Sequence, residues 1–240
     1  MRKSIFITLS FFLTGILFSQ KSIYLGFEGG PSFDKYSFFD NGDQILSLPL
    51  SSWSYGINFS YDLNNFFSVE TGAIVKDYKR GNGFRGIGEG VGFNAGGINT
   101  VQIPLRLRTR IPLIKDRLFF STVMGYHHSF NLFNTISSGS VGASGGNFIL
   151  DSDEIFKGNL VKSFSLLETG AGLELRVLKT AYLRFSASYF TGFKKVSQSD
   201  IVYTVNDGPA TRATIQSSGS YLSYTMSIRF PIASIRPKKK

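Results

Sequence analysis

The 240-residue sequence contains no cysteine. That excludes disulfides, thiol catalysis and thiolate metal sites together, and with them a lipoprotein anchor, which needs a cysteine at the cleavage point. Only two histidines are present, so metal binding is not expected, and nothing in the chain points to a cofactor. Tryptophan occurs once, and charged residues make up 18% of the chain. After the first segment, no apolar run approaches the roughly 20 residues that a membrane helix needs. If the remainder crosses a membrane, it must do so as a closed barrel. That is the only other way to pair every backbone N–H and C=O inside hydrocarbon.

Phenylalanine (24), tyrosine (11) and glycine (26) are abundant instead, a composition that suits strands and turns. The formal charge of +10 would fit a nucleic-acid partner. The basic residues argue otherwise. They lie at the start (Arg2, Lys3), at the C-terminus (Lys238, Lys239, Lys240) or singly along strands. No basic helix or nucleic-acid module is recognisable, so nucleic acid is not an expected partner.

Residues 1–19 read as a signal peptide. Arg2 and Lys3 form the positive start, Ile5 to Phe18 is an apolar stretch too short for a comfortable membrane helix, and Ser19 is small enough to precede a cut. Leu17 makes the small-x-small pattern imperfect. Cleavage there would make residues 20–230 the mature barrel and 231–240 a basic periplasmic tail.

Eight segments alternate with period two, which places successive side chains on opposite faces of a strand. They run from Ile23 to Phe33, about Trp53 to Asp62, Phe67 to Tyr78, Val101 to Ile111, Leu118 to Phe130, Ser165 to Val177, Tyr182 to Gly192 and Tyr221 to Phe230. The fourth is clearest: Val101, Ile103, Leu105, Leu107 and Ile111 alternate with Gln102, Pro104, Arg106, Arg108 and Arg110. The fifth is ambiguous, because Phe120, Met124, Tyr126 and Phe130 oppose Phe119 and Val123. Each segment has about the 9–11 residues that cross a bilayer at a tilt. Short connections (Leu63-Asn64-Asn65, Pro112 to Asp116, Leu178-Lys179-Thr180) alternate with long polar ones, roughly 34–52, 79–99, 131–162 and 193–218, read as loops. That is the pattern of bacterial outer-membrane barrels, with both termini in the periplasm.

The expected fold is therefore all-β: an eight-stranded antiparallel up-and-down transmembrane β-barrel. A soluble lipocalin-like barrel would also alternate, with apolar residues inside. Three features favour the membrane. Glycine is concentrated on the polar face, Arg and Glu occupy mid-strand positions on that face, and Tyr55, Tyr61, Phe66, Phe67, Phe119, Phe120 and Tyr182 cluster near strand ends, as interfacial girdles do. Pro104 is awkward, since a closed barrel has no free edge for a missing N–H. A bulge, or a strand that starts later, is expected there.

The stretch Gln102-Ile103-Pro104-Leu105-Arg106-Leu107-Arg108 resembles the apolar-Pro-Leu-x-Leu-basic strand of the PorT-like family of outer-membrane β-barrels. Thr169-Gly170-Ala171-Gly172-Leu173-Glu174-Leu175 is similar to a Gly-x-Gly-x-Glu strand common there, and Phe66-Phe67-Ser68-Val69-Glu70-Thr71-Gly72 to the family's third strand. The resemblance implies an eight-stranded barrel of OmpA/OmpX shape. Some members are implicated in protein secretion. It contributes no catalytic residues.

An eight-stranded barrel is just wide enough for its own side chains. The polar faces put Glu28, Asp62, Glu70, Arg106, Arg108, Arg110, Glu168, Glu174, Arg176, Arg184 and Arg229 in the lumen, as a charge network that plugs it or as the lining of a small gated pore. A barrel enzyme that modifies outer-membrane lipids is the other alternative. His127 and Ser129 share a strand face with the His-x-Ser spacing of lipid A deacylases. That face is luminal, away from lipid, and the sequence offers no obvious orienting acid. His128 reads as an interfacial side chain. Asp151-x-Asp153-Glu154 lacks the glycine and closing glutamate of a calcium loop and reads as solvated. In the loops, Tyr36, Phe38, Phe39 and Trp53 are candidates for protein contacts, and Arg80 and Arg85 for lipopolysaccharide phosphates. The Arg236-Pro237-Lys238-Lys239-Lys240 tail reads as a solvated end that could touch an acidic periplasmic partner. The expected function is a non-enzymatic envelope scaffold, or an accessory to a secretion or envelope complex. The expected partners are outer-membrane lipids and envelope or secretion-complex proteins. The sequence specifies no oligomeric state.

Overall fold

A computed structural model of the chain describes residues 21–235, apart from 49, 85–91, 94–96, 116, 133–135, 146–147, 159 and 179–180. The leader and the last five residues thus lie outside the described residues. Among the described residues sixteen strands follow one another: β1 (Lys21–Asp34), β2 (Ser37–Asp40), β3 (Ile45–Leu48), β4 (Ser51–Asp62), β5 (Phe67–Lys79), β6 (Gly81–Phe84), β7 (Gly92–Phe93), β8 (Gly97–Ile114), β9 (Leu118–Asn131), β10 (Ile136–Gly145), β11 (Phe148–Lys157), β12 (Ser163–Arg176), β13 (Tyr182–Gly192), β14 (Ser197–Val205), β15 (Thr211–Ser217) and β16 (Tyr221–Ile235).

Eight of them, β1, β4, β5, β8, β9, β12, β13 and β16, close into an antiparallel barrel in which each strand pairs with the next barrel strand along the chain. Pairing of β1 with β16, from Lys21 opposite Ile235 to Asp34 opposite Tyr221, shuts the ring. These are the eight strands expected from the alternation. β16 runs on to Ile235, however, so 231–235 belongs to the barrel rather than to a tail, with a register shift opposite Ile23 and Tyr24.

The polarity of the wall identifies its surroundings. Leu105 (59% exposed), Met124 (68%) and their outward neighbours present an apolar exterior, while Arg106, Arg108, Arg110, Glu70 and Glu174 are buried inside. Such an arrangement is stable where the exterior medium is hydrocarbon, because a closed ring of ladders leaves no open sheet edge to be satisfied by water. The fold is an eight-stranded antiparallel up-and-down transmembrane β-barrel. The face of β9 is also fixed: Ser121, Val123, Gly125, His127 and Ser129 point inward.

Pro104 does not produce a bulge or a late start. β8 pairs continuously with β9 through Pro104 opposite His127. On the other side, the ladder with β5 passes from Thr71–Leu105 to Ile74–Gln102, omitting two pairs without changing register. The Pro104 carbonyl accepts the Thr71 hydroxyl (2.8 Å). The N and C=O of one strand residue point to the same neighbour, so the missing donor faces β5 and a side chain occupies the gap. The β4–β5 turn closes through Asn64, whose Oδ1 accepts the N–H groups of Phe66 and Phe67, each at 2.8 Å.

The long connections are not plain loops. β10, β11, β14, β15 and β2 form one sheet, and β3, β6 and β7 another. Together they build a lobe at the end opposite the short turns. Ile45, Ile201, Tyr203, Ala213 and Ile215 form a core there, with Tyr36, Phe38 and Val205 packed against it. Asp40 organises the β2–β3 bend: it accepts N–H groups of Gly42, Gln44 and Ile45 and the Tyr203 hydroxyl. Partial burial alone would raise the Asp40 carboxyl, but these donors outweigh it and hold its pKa below the usual carboxylate value.

Candidate functional site: the barrel lumen

Alternation on the eight strands sends one face of each inward, and the charged residues on those faces meet. Near the middle, Arg106 Nε donates to Glu168 Oε2 (2.6 Å) and Arg106 Nη1 to both Glu28 oxygens (2.9 Å each). Asn58 Nδ2 donates to Glu28 at 3.0 Å. Gly125 makes room for this knot, since a Cβ there would lie 2.9 Å from Arg106 Cγ. Toward the turns, Glu70 bridges Arg108 (3.0 Å) and Arg184 (3.1 Å). Glu174 takes Arg184 at 2.8 Å and Arg229 at 2.6 Å, and Asp62 takes Arg110 at 2.6 Å.

Ten of the eleven residues expected in the lumen therefore sit in it within reach of an opposite charge. Arg176 does not. It is exposed at the end of β12, past the last enclosed layer, and lies 6.0 Å from the Tyr182 ring. Phe119 and Tyr182, expected at the membrane interface, are paired with luminal Glu174 and Arg229 and so face inward. With Tyr24 they form an aromatic layer at the turn end, where Arg229 lies 4.5 Å from the Tyr24 ring and 4.6 Å from that of Tyr182.

One ion pair escaped the sequence reading. Lys76 Nζ donates to Asp34 at 2.7 Å and to Ser52 at 2.6 Å, both near the lobe. The signal was present: Asp34 continues the inward phase of Glu28, and Lys76 that of Glu70. Among the described residues the lumen then holds six acids (Glu28, Asp34, Asp62, Glu70, Glu168, Glu174) and six bases (Lys76, Arg106, Arg108, Arg110, Arg184, Arg229), all with opposite charges beside them.

Above this network the mouth is filled by Tyr78, Ile98, Phe156, Phe164, Leu166, Phe190, Val196 and Tyr221. Phe190 stacks on Tyr221 at 4.1 Å, and Gln102 links the Tyr78 and Tyr221 hydroxyls.

His127 and Ser129 are fully buried, directly across the ladder from Leu166 and Phe164 of that layer. An acid does stand beside the histidine, contrary to expectation: His127 Nε2 donates to Glu168 at 2.7 Å. The His127 Nδ1 and the Ser129 hydroxyl have no hydrogen-bond partner among the described residues, so they do not bond each other. His128 lies on the outer face against Tyr126 and Phe130.

In the lobe, Asp151, Asp153 and Glu154 lie on strand β11. Alternation splits them between faces, the two aspartates exposed and Glu154 buried against Arg80 and Ser199. They cannot converge on one ion. Arg80, only 2% exposed, is held by Glu154 rather than offered to phosphates, and Arg85 lies outside the described residues. Phe39 (69% exposed) and Trp53 (58%) are open, whereas Tyr36 and Phe38 pack on the lobe core.

The molecule thus belongs to the class of closed transmembrane β-barrels with a filled lumen. No protein-family model and no curated protein matches the sequence. Solved structures similar to it include the outer membrane protein OprG from Pseudomonas aeruginosa (11% identity, 88% of this chain and 98% of that one, TM-score 0.49). Neisserial surface protein A is similar at 13% identity, covering 88% and 97%, with a TM-score of 0.44. The outer membrane protease OmpT from Escherichia coli is similar at 9% identity, covering 88% and 97%, with a TM-score of 0.39.

Proposed function

We propose that this chain is a bacterial outer-membrane barrel of PorT-like type that acts through its lobe, as an envelope scaffold or an accessory to a secretion or envelope complex. In this reading residues 1–19 are a cleaved leader, both termini are periplasmic, and the lobe faces outward. The observation that carries it is the lumen: six acids balance six bases and an aromatic layer closes each end. A balanced, occupied interior is a plug, which leaves the folded lobe with its exposed Phe39 as the surface able to engage another protein.

The test is native co-purification from outer membranes in mild detergent, with folding followed on the same sample by boiled against unboiled gel migration. A stoichiometric partner that is retained by the parent chain and lost on Phe39→Asp is the expected result. A folded barrel that elutes alone from its native envelope would refute the accessory role. The pore alternative predicts discrete steps in planar-bilayer recordings. The lipid-hydrolase alternative gains from the His127–Glu168 pair, and it predicts a change in lipid A acylation on His127→Ala. Burial of that pair, with His127 edge-on against Phe190 and no bond from His127 to Ser129, favours the scaffold.

A further inference from the structure

The outer wall carries a groove that the plugged lumen and the lobe do not use. Its volume is about 570 Å³, and it is built by the cross-strand registers. In an antiparallel sheet, residues directly opposite share a face and form rows across the strands. One outward row reads Leu173, Phe185, Met226. Two residues nearer the lobe the next row reads Ala171, Ala187, Tyr224, and the row beyond it reads Thr169, Tyr189, Leu222. Two alanines between rows of large side chains leave a trench. It continues past Tyr224 over Gly29 and Pro31 to Trp53.

The wall is bare backbone where the trench crosses the seam between the first and last strands. The β1–β16 ladder passes from Gly29–Met226 to Ser32–Ser223 and omits the two pairs at Gly30 and Pro31 without a change of register. Pro31 has no N–H to give. A Cβ on Gly30 would fall 2.0 Å from the Tyr224 carbonyl oxygen, so only glycine allows that approach.

We infer that this trench is a binding site for one acyl chain of a membrane lipid. The inference rests on the transmembrane reading of the barrel. Its walls, Leu173, Phe185, Met226, Tyr224 and Trp53, are all exposed members of the hydrocarbon-facing belt, so the surrounding medium is lipid chain. The trench is one row wide and spans β12 to β4, four strand spacings or about 19 Å, a shape that suits a linear unbranched chain. At the lobe end Trp53 and Tyr224 carry an indole N–H and a phenol O–H, which suit the ester and phosphate groups of a lipid at the interface.

The full chain would be folded into bilayers containing a phospholipid with a photoreactive diazirine in its acyl chain, and insertion would be verified by heat-dependent gel migration before irradiation. Labelling concentrated on Ala171, Ala187, Tyr224 and Met226, well above that at Leu105 on the opposite wall, is expected. Ala187→Phe fills the trench from outside and leaves the lumen and both ladders alone. It should abolish the excess labelling, and native mass spectrometry should show loss of one retained lipid. Ala171→Phe serves as a second variant should the first fail to insert, and Leu105→Phe should change nothing. Even labelling around the belt, unchanged labelling in the filled variants, or cross-links between two copies at these residues would each overturn the assignment. An inserted barrel that lacks the excess labelling would leave the transmembrane reading intact, so the two fail separately.

Discussion

Glu174 is the residue whose loss the lumen should tolerate least. It is fully buried and accepts Arg184 Nε at 3.0 Å, Arg184 Nη2 at 2.8 Å and Arg229 Nη2 at 2.6 Å, with Arg110 3.6 Å away. Glu174→Gln keeps the shape and one acceptor but removes the charge, so three guanidiniums are left with Asp62 and Glu70 alone. Removing one partner of a buried ion pair costs about 3–5 kcal/mol, because the remaining charge stays desolvated. The retained amide oxygen puts the expected loss near the lower end, about 3 kcal/mol. Denaturant unfolding in bilayers reads it, followed by gel migration and by the single tryptophan, Trp53, on the outer wall. The double variant Glu174→Gln with Arg229→Gln removes one charge of each sign and should recover part of the loss, with a coupling of about 1–3 kcal/mol. A single-variant loss below about 1 kcal/mol, the range of solvent-exposed pairs, would refute the view that the lumen is water-poor and charge-balanced.

Other outcomes follow from particular contacts. Phe190→Ala removes the ring stacked on Tyr221 and should cost about 3–5 kcal/mol in the same unfolding assay. It should still give no discrete conductance, because the charge network below remains. Asn64→Ala loses two N–H acceptances at the β4–β5 turn and should cost about 1 kcal/mol, read as a lower denaturation midpoint. The lobe should be acid-sensitive. Because the folded Asp40 pKa is depressed, its contribution is complete above the ordinary value of about 3.9 and is lost as pH falls through the lower folded value. Limited proteolysis should therefore cut the lobe increasingly below about pH 4, and Asp40→Asn should be cut already at neutral pH.

The barrel was legible because its two faces differ in kind. Leu105 and Arg106 are adjacent in sequence and answer to opposite media, so period two survives along β8 from Val101 to Ile111. The lobe was not legible, for the converse reason. Its buried faces carry Ser152, Glu154, Ser197 and Ser199, which erase the contrast between inside and outside, so β11 and β14 looked like polar loop. Arg176 was misplaced because alternation gives phase but not height: it has the inward phase of Glu174 but lies past the end of the enclosed space. Phe119 and Tyr182 failed in the same way. Position near a strand end implied the interface, while phase assigned them to the lumen. The orienting acid for His127 could not be read from spacing, since Glu168 reaches it across the β9–β12 ladder, and cross-strand register is set by the turns and bulges rather than by composition.

The charge balance of the lumen bears on function beyond stability. Six acids and six bases give the lumen no net formal charge, whereas a pore that selects ions by sign needs an unbalanced lining. The described residues of the lumen then contribute nothing to the formal +10 of the chain. Part of it is in Arg2 and Lys3 and in Arg236 and Lys238 to Lys240, and part in exposed Lys115, Arg117 and Arg176 at the short turns. The excess at the turn end sits just beyond exposed Leu113, Ile114 and Leu178, at the depth where basic side chains meet lipid headgroups. Formal charge thus balances at the centre of the barrel and is in excess at its turn end.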